Sequence, residues 1–572
     1  MTREGFGPEE PLDVPPPPFG GTKDPLTPPA DPRAWNDLLT VPTEPRLFPG
    51  PGARAAAAAV VCMGLFLLGM DLTVLNVALP GLQHDLEASS AEVQWIVDAY
   101  ALVLGGTVLT VGAFTDSWGR RRSFVCGMAV CAAASVCGAL AAQPWQAVGA
   151  RCLLGAGAAL LMPATLAVLH DLFPEPVLRR RAIAAWAAVG GLGGVCGPVI
   201  GGWLVEQSSW RAGFWVNLPP AVLAIGLALA LVPESRSPRP SAFDAPGAAL
   251  SIVGLTALVW AVIESPHRGW TSGWVLGVFT CSLVLLAAFL LRQSRARAPM
   301  LPLSVLATPR VSMGAGALAV VAFAAFGSLF VLTLYLQGVL GYSPLEAGVR
   351  TLPLPAGLAV GAAVSLPLQA RRGQKTPIVS GLVVVSLSFV VLAGTSAGSG
   401  YGRCALFQLV IGVGSGLVGA AATESVMAAV PAQKTGLGSA INDATRQIGS
   451  ALGVAVQGAI VTAVFTSRLH ASLDQHDASG ELLAAADLSM LAVPGAAARL
   501  DPLAREAVLA AAREAFTDAL TVTAVVAGVV TLLMSVAAAR WLPRPVGHHH
   551  EDASARPGEG GEPSGCAVGV GR

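Results

Sequence analysis

The chain has 572 residues, of which 53% are hydrophobic and only 12% charged, and its formal net charge is zero. A soluble protein of ordinary composition is about one quarter charged, so this composition excludes an ordinary soluble domain and predicts an all-α polytopic membrane protein. Zero net charge leaves no electrostatic footprint for a nucleic-acid partner. The nine cysteines lie mostly in or beside apolar runs and show no CxxC or Cys/His spacing, which predicts neither a disulfide framework nor a metal site.

Residues 1–53 are rich in Pro, Gly and acidic residues, including four consecutive prolines at 15–18. They cannot bury a core, show no cleavable signal peptide and read as a disordered cytoplasmic tail. Fourteen apolar runs of spanning length follow, starting near Ala55, Val93, Ser123, Trp145, Ala182, Phe214, Ala245, Ser272, Val311, Leu352, Pro377, Cys404, Ser439 and Thr517. A long connector at 467–516 precedes the last helix. Within it, LDPLAREAVLAAAREAFTDAL has helical apolar spacing and predicts a separate amphipathic helix on the outer surface. Residues 544–572 read as a second tail, whose His548, His549 and His550 sit in low-complexity sequence.

Orientation follows from the basic residues of the short loops. Arg120 to Arg122, Arg179 to Arg181, Arg236, Arg239, Arg292, Arg295, Arg297, Arg310, Arg371, Arg372, Lys375 and Lys434 fall on one side. Arg211, Arg268 and Arg403 fall on the other, so both tails are expected in the cytoplasm of a cell whose cytoplasmic membrane the chain crosses.

Two aspartates lie inside spanning runs, Asp71 in the first and Asp98 in the second. A carboxylate at bilayer depth is costly unless neutralised, paired or hydrated, and marks an ion or substrate path by default. Asp71 precedes Pro80 by nine residues, about 13 Å below the outer helix end. Asp98 lies about 8 Å deep in helix 2 and Arg151 about 9 Å deep in helix 4. Three ionisable groups are thus expected at one level. Pairing would favour the charged aspartate, burial alone the neutral one, so such a cluster is either a proton-loading site or a structural ion pair.

Asp443, in helix 13, either attracts a cationic substrate or pairs locally with Arg446. Glu264 and Glu424 are expected at the interface, and Asp518 is expected to open helix 14. Asn76, Trp95, Tyr100, Tyr335, Gln337 and Asn442 are candidates to orient a ligand in an apolar cavity.

The loop after helix 2 reads GAFTDSWGRRR, with Gly112, Asp116, Gly119, Arg120 and Arg121 as a candidate conformational gate. Helix 5 carries GGLGGVCGPVIGGWL, which sets Gly193, Gly197 and Gly201 on one face beside Pro198 and Gly202, a spacing for close helix approach. The first segment resembles the signature loop of the major facilitator superfamily, and the second resembles that superfamily's antiporter motif. MDLTVLNVALP (70–80), WIVDAYALVLGG (95–106), WRAGFWVNLPP (210–220) and SAINDATRQIGSALGVAV (439–456) resemble the fourteen-helix drug:proton antiporters of the quaternary-ammonium exporter type.

The resemblance implies a 6+2+6 helix architecture, with a first six-helix bundle (54–233), two inserted helices (234–298) and a second six-helix bundle (299–543). It also implies alternating access and export of lipophilic, often cationic, compounds by a monomer in exchange for protons. No cofactor is implied beyond the proton gradient. Two departures stand out: Leu154 replaces the glutamine of the family's RxxQG motif after Arg151, and Leu358 stands where cationic-drug exporters carry an acid in helix 10. An alternative with the same fold is a dedicated exporter of one natural product. No GxxxxGK[ST], HExxH or GxSxG pattern supports a membrane enzyme.

Overall fold

The computed structural model describes residues 50–236, 244–296, 303–396, 398–429, 435–473 and 492–543, together with 299, 485 and 490. The two tails, Lys434, Cys566 and most of 474–491 lie outside the described residues, as do His548, His549 and His550. Among the described residues every regular element is helical.

The first half comprises α1 (Pro51–Asp85), α2 (Ser90–Trp118), α3 (Arg120–Ala139), α4 (Pro144–Leu172), α5 (Pro176–Gln207) and α6 (Leu218–Leu231). A hairpin follows, α7 (Ala245–Arg268) and α8 (Gly273–Arg295). The second half comprises α9 (Pro309–Leu334), α10 (Pro353–Arg372), α11 (Lys375–Ala393), α12 (Tyr401–Ala429), α13 (Thr435–Leu473) and α14 (Pro502–Trp541). A five-residue π-helical stretch, Tyr335–Val339, continues α9, and the short helix Pro344–Val349 leads into α10. Thirteen of these helices are long and apolar enough to cross a membrane by length and composition. The remaining one, α2, has 29 residues and is equally apolar.

The helix pairings repeat. In the first half α1 packs on α5, α2 and α3 on α4, and α3 on α6. In the second half α9 packs on α13, α10 and α11 on α12, and α11 on α14. Each relation recurs eight helices later, so the halves share one architecture and α7–α8 is the insertion. That hairpin leans its α7 side on α2 and α13, which also form the main seam between the halves.

Local chemistry explains the helix starts. Ser89 and Glu92 form a reciprocal capping box at α2, and Ser343 and Glu346 repeat it before α10. Asp244 caps α7 by accepting from the Gly247 amide, and it also accepts from Arg292 (2.7 Å) and Gln293 (2.8 Å) at the end of α8. Burial alone would raise its pKa, but the Arg292, Gly247 and Gln293 hydrogen bonds outweigh it and hold the carboxyl below its usual value. A depressed carboxyl contributes stability that is fully present above its unfolded pKa and is lost as pH falls through the folded one. The thermal stability of the detergent-solubilised protein is therefore expected to fall on acidification below about pH 4. Asp244→Asn should flatten part of that dependence and cost about 1 kcal/mol, the partly exposed Arg292 limiting the loss.

Two sequence expectations are corrected at the C-terminal end. The segment expected to be a separate surface helix is the first half of α14, a continuous helix of 40 residues capped by Asp501 at the amides of Leu503 and Ala504. Its apolar face packs on the core through Ala512, Ala515 and Phe516, so the helix need not stop at the expected boundary. Asp518 consequently lies well inside α14 rather than opening it, and pairs with Arg468 of α13 at 3.4 Å.

Candidate functional site

Asp71, on α1, is buried at 5% exposure and has both carboxylate oxygens engaged. Arg151 of α4 donates through Nη1 to Oδ2 at 2.7 Å, and Asn217, just before α6, donates through Nδ2 to Oδ1 at 3.0 Å. Asn217 also reaches Ser135 Oγ of α3 at 3.4 Å. Arg151, at 2% exposure, uses Nε to donate to the Ile96 carbonyl of α2 at 3.1 Å and lies 4.6 Å from the centre of the Tyr100 ring. One charge pair thus ties together α1, α2, α3, α4 and the entrance to α6. Removing either partner of such a buried pair is costly, because it leaves the other charge uncompensated in low dielectric.

Asp98 does not join it. The three groups sit at similar depth, yet Arg151 pairs with Asp71, and the buried oxygens of Asp98 have no hydrogen-bond partner at 1% exposure. The reason is angular. Ile96 and Tyr100 face Arg151, and residue 98 lies about 200° around the helix from either of them at about 100° per residue. It lies instead on the stripe of Gln94 and Gly105, which contact Gly458 and Gln447 of α13. The spacing of those two contacts is the same on both antiparallel helices and places Asp98 opposite Val454. Asp98 therefore belongs to the seam between the halves, and Asp71 to the interior of the first half. An isolated ionised carboxylate carries a large desolvation cost in such a seam, which sets Asp98 apart from the ion-paired Asp71.

The candidate gate residues fall into two groups. Gly119 separates α2 from α3 at φ +128°, a backbone conformation that favours glycine. Around it Arg120 pairs with Asp171 at the end of α4, and the Arg121 amide donates to Glu234 Oε1 at 3.2 Å, with Arg122 3.6 Å from Oε2. Glu234, just past α6, is a partner of this loop that the sequence reading missed; a lone acid after an apolar run carried the signal. Gly112 makes ordinary contact with Pro163 of α4, and the Asp116 side chain lies outside the described residues. On α5, a Cβ at Gly193 would collide with the Phe66 carbonyl, one at Gly197 would lie 2.8 Å from the Met70 carbonyl, and one at Gly201 2.8 Å from that of Val74. The α1 and α5 backbones therefore touch. One face further, Gly202 meets the Pro344 carbonyl, and Gly348 abuts the carbonyl of Pro198, joining α5 to the second half.

The candidate lining residues are scattered. Tyr100 lies under Arg151 and Asn76 is buried in α1. Gln337 joins the halves by donating to the Val77 carbonyl at 3.1 Å. Trp95 packs in the seam cluster with α7 and α13, and Tyr335 is fully buried against Phe516, its hydroxyl donating toward Ser399 O at 3.4 Å. Asn442 lies on α13 near Asp443, whose carboxylate accepts from Arg446 at 3.2 Å, the local pairing among the two readings of that acid. Glu264 pairs with Arg268 at 2.9 Å. None of the six candidate lining residues borders an open groove of about 650 Å³ that runs between α1 and α5 at the Arg120 end. Ala59, Met63, Phe66, Leu178 and Val189 make it apolar, and Arg181 is its charged residue.

Two six-helix halves joined along a seam, with a glycine-packed α1–α5 pair, form the architecture of a membrane transporter. The family model for the Major Facilitator Superfamily matches residues 61–454, and the chain belongs to that superfamily. It is 34% identical to the "Tetracenomycin C resistance and export protein" of Streptomyces glaucescens, over 70% of this chain and 74% of that protein. It is 32% identical to "Multidrug resistance protein Stp" of Mycobacterium tuberculosis, over 86% of this chain and 93% of that one. With "Multidrug efflux pump LfrA" of Mycolicibacterium smegmatis it shares 34% identity over 83% and 94% of the two chains. Among solved structures it is similar in fold to an inward-facing bacterial homologue of the human lysosomal transporter Spinster. That similarity has a TM-score of 0.61, at 17% identity, covering 86% of this chain and 99% of that one.

Proposed function

We propose that the protein is a drug exporter of the cytoplasmic membrane that moves lipophilic compounds outward in exchange for protons. The observation that carries the proton coupling is Asp98, a fully buried seam carboxyl with no partner, beside an Asp71 whose charge is already balanced. Closing the seam favours the protonated acid, and opening it to water favours release. The same residue thus links protonation to the movement of the halves.

Export of drugs is supported by the named functions of the relatives. The α1–α5 groove supplies an apolar surface of the right size for a drug-sized ligand. Its charged lining residue is Arg181, which suits uncharged or anionic lipophiles better than dications. Orientation rests on charge: the Arg120 end also carries Arg121, Arg122, Arg179, Arg181, Arg292, Arg295, Arg310, Arg371, Arg372 and Lys375, against Arg211, Arg268, Arg350, Arg403 and Arg468 at the opposite end, which supports a cytoplasmic Arg120 end. Gln337–Val77 and the Gly202–Pro344 contact then close the outer side. The carrier functions as a monomer, each half supplying one side of the seam.

A narrower reading, export of one natural product, is favoured by relatives named for single antibiotics, such as the puromycin resistance protein of Streptomyces alboniger. A susceptibility panel in a pump-deficient host separates a broad from a single-compound range.

Ethidium export from energised vesicles tests the coupling. Asp98→Asn should abolish its dependence on the proton gradient, whereas Asp71→Asn should mainly lower the amount of folded protein. Normal gradient-dependent export by Asp98→Asn would overturn the assignment.

A further inference from the structure

A second feature of the seam lies one helical turn from Asp98. At the outer end a small cavity of about 30 Å³ is enclosed between α1, α2 and α13, with apolar walls from α9 and α14. Its polar lining is Gln83, Ser90, Gln94, Thr462 and Thr466. That volume holds one or two water molecules, and hydroxyls and amides at this density supply the several hydrogen bonds a buried water needs. Gln94 is 1% exposed, and its buried Oε1 accepts from no protein donor. It keeps this place because residue 458 is glycine; a Cβ there would lie 2.6 Å from the Gln94 amide carbon.

We propose that this cavity is a water site through which protons reach Asp98 from the outer surface, with Gln94 as the residue that positions the water. The proposal rests on the reading of Asp98 as the proton carrier. Gln94 and Asp98 are four residues apart and so lie on one face of α2, the face turned toward α13. Ser90 is the first residue of α2, which puts the cavity within a turn of the helix end. A proton delivered from bulk water to the cavity water passes on as that water donates to the Asp98 carboxylate, leaving the neutral acid and a water ready for the next transfer. Gln94 binds the water through Oε1 and itself carries no proton.

The charges around Asp98 leave this route open. On α2 and α4, Tyr100 and Arg151 face the opposite side, where Arg151 is committed to Asp71 of α1. On α13, Asp443 and Arg446 are paired with each other toward the other end of the helix. The α7 face in the seam is Leu255, Val259 and Ile263, with Glu264 held by Arg268.

Infrared spectroscopy of the full-length protein in liposomes tests this without transport. The protonated carboxyl band that disappears in Asp98→Asn, and persists in Asp71→Asn, should be present at neutral pH. Its shift on transfer to D2O should slow by about tenfold or more in Gln94→Leu, the effect of one lost hydrogen-bonded link. Thr462→Val, nearly the same shape and therefore gentle on folding, should slow it in the same direction. Unchanged exchange in both variants, or no Asp98 band at neutral pH, would overturn the water site. Loss of ethidium export with the band and its exchange intact would instead count against the exporter reading while upholding this one.

Discussion

Arg151→Leu is expected to be the most damaging single substitution in the first half. It leaves Asp71 buried, with Asn217 as its remaining partner, and removes the donor to the Ile96 carbonyl. Breaking a buried pair from one side costs about 3–5 kcal/mol, because the orphaned charge stays in low dielectric. Asp71→Asn combined with Arg151→Leu should recover much of that loss, since no uncompensated charge remains. A double-mutant cycle read by thermal unfolding of the detergent-solubilised protein measures the coupling. If the double variant is as unstable as the sum of the singles, Asp71 and Arg151 do not act as a pair.

The second large effect is expected at the α1–α5 contact. Gly197→Val would drive a branched side chain into the Met70 carbonyl and Thr73, whose hydroxyl already donates to the Gly194 carbonyl at 3.0 Å. Overpacking of this kind costs about 1–3 kcal/mol when the neighbours can shift, and more against backbone. Because α5 also carries Gly202 and Pro198 against the second half, the displacement should reach the seam and stop export before it stops folding. Gly191→Ala is the control: it lies on the same helix with open space around it, and should leave ethidium export and thermal stability unchanged. Equal effects at 191 and 197 would show that helix propensity, not contact, is responsible.

Both predictions depend on geometry that the sequence exposes only in part. The glycine spacing of α5 announces a close helix contact, yet it does not say with which helix; the partner is α1 because residues 66, 70 and 74 present their carbonyls at the same spacing. Depth counting levels Asp71, Asp98 and Arg151, but depth is one coordinate of two. Angular counting separates Asp98 from Ile96 and Tyr100, and this was available in the sequence once the Arg151 contacts on α2 were known. Asn217 lies within a segment whose family resemblance was evident, but nothing local marks it as a partner of Asp71, because the two are 146 residues apart. Glu234 is similar: its role comes from Gly119, Arg121 and Arg122, more than a hundred residues earlier in the chain.

What the sequence determined by itself is the series of apolar runs long enough to span a bilayer and, through motifs that resemble a known family, the transporter superfamily. Each follows from local apolar runs and short motifs, which the bilayer enforces because every backbone polar group there must be satisfied within its own helix. Only the tertiary structure decided which buried charge is spoken for and which is not. Arg151 has one guanidinium to share between two aspartates of similar depth, and the rotation of α2 about its own axis turns Asp98 away from it. Packing between helices sets that rotation, and no run of residues along the chain encodes it alone.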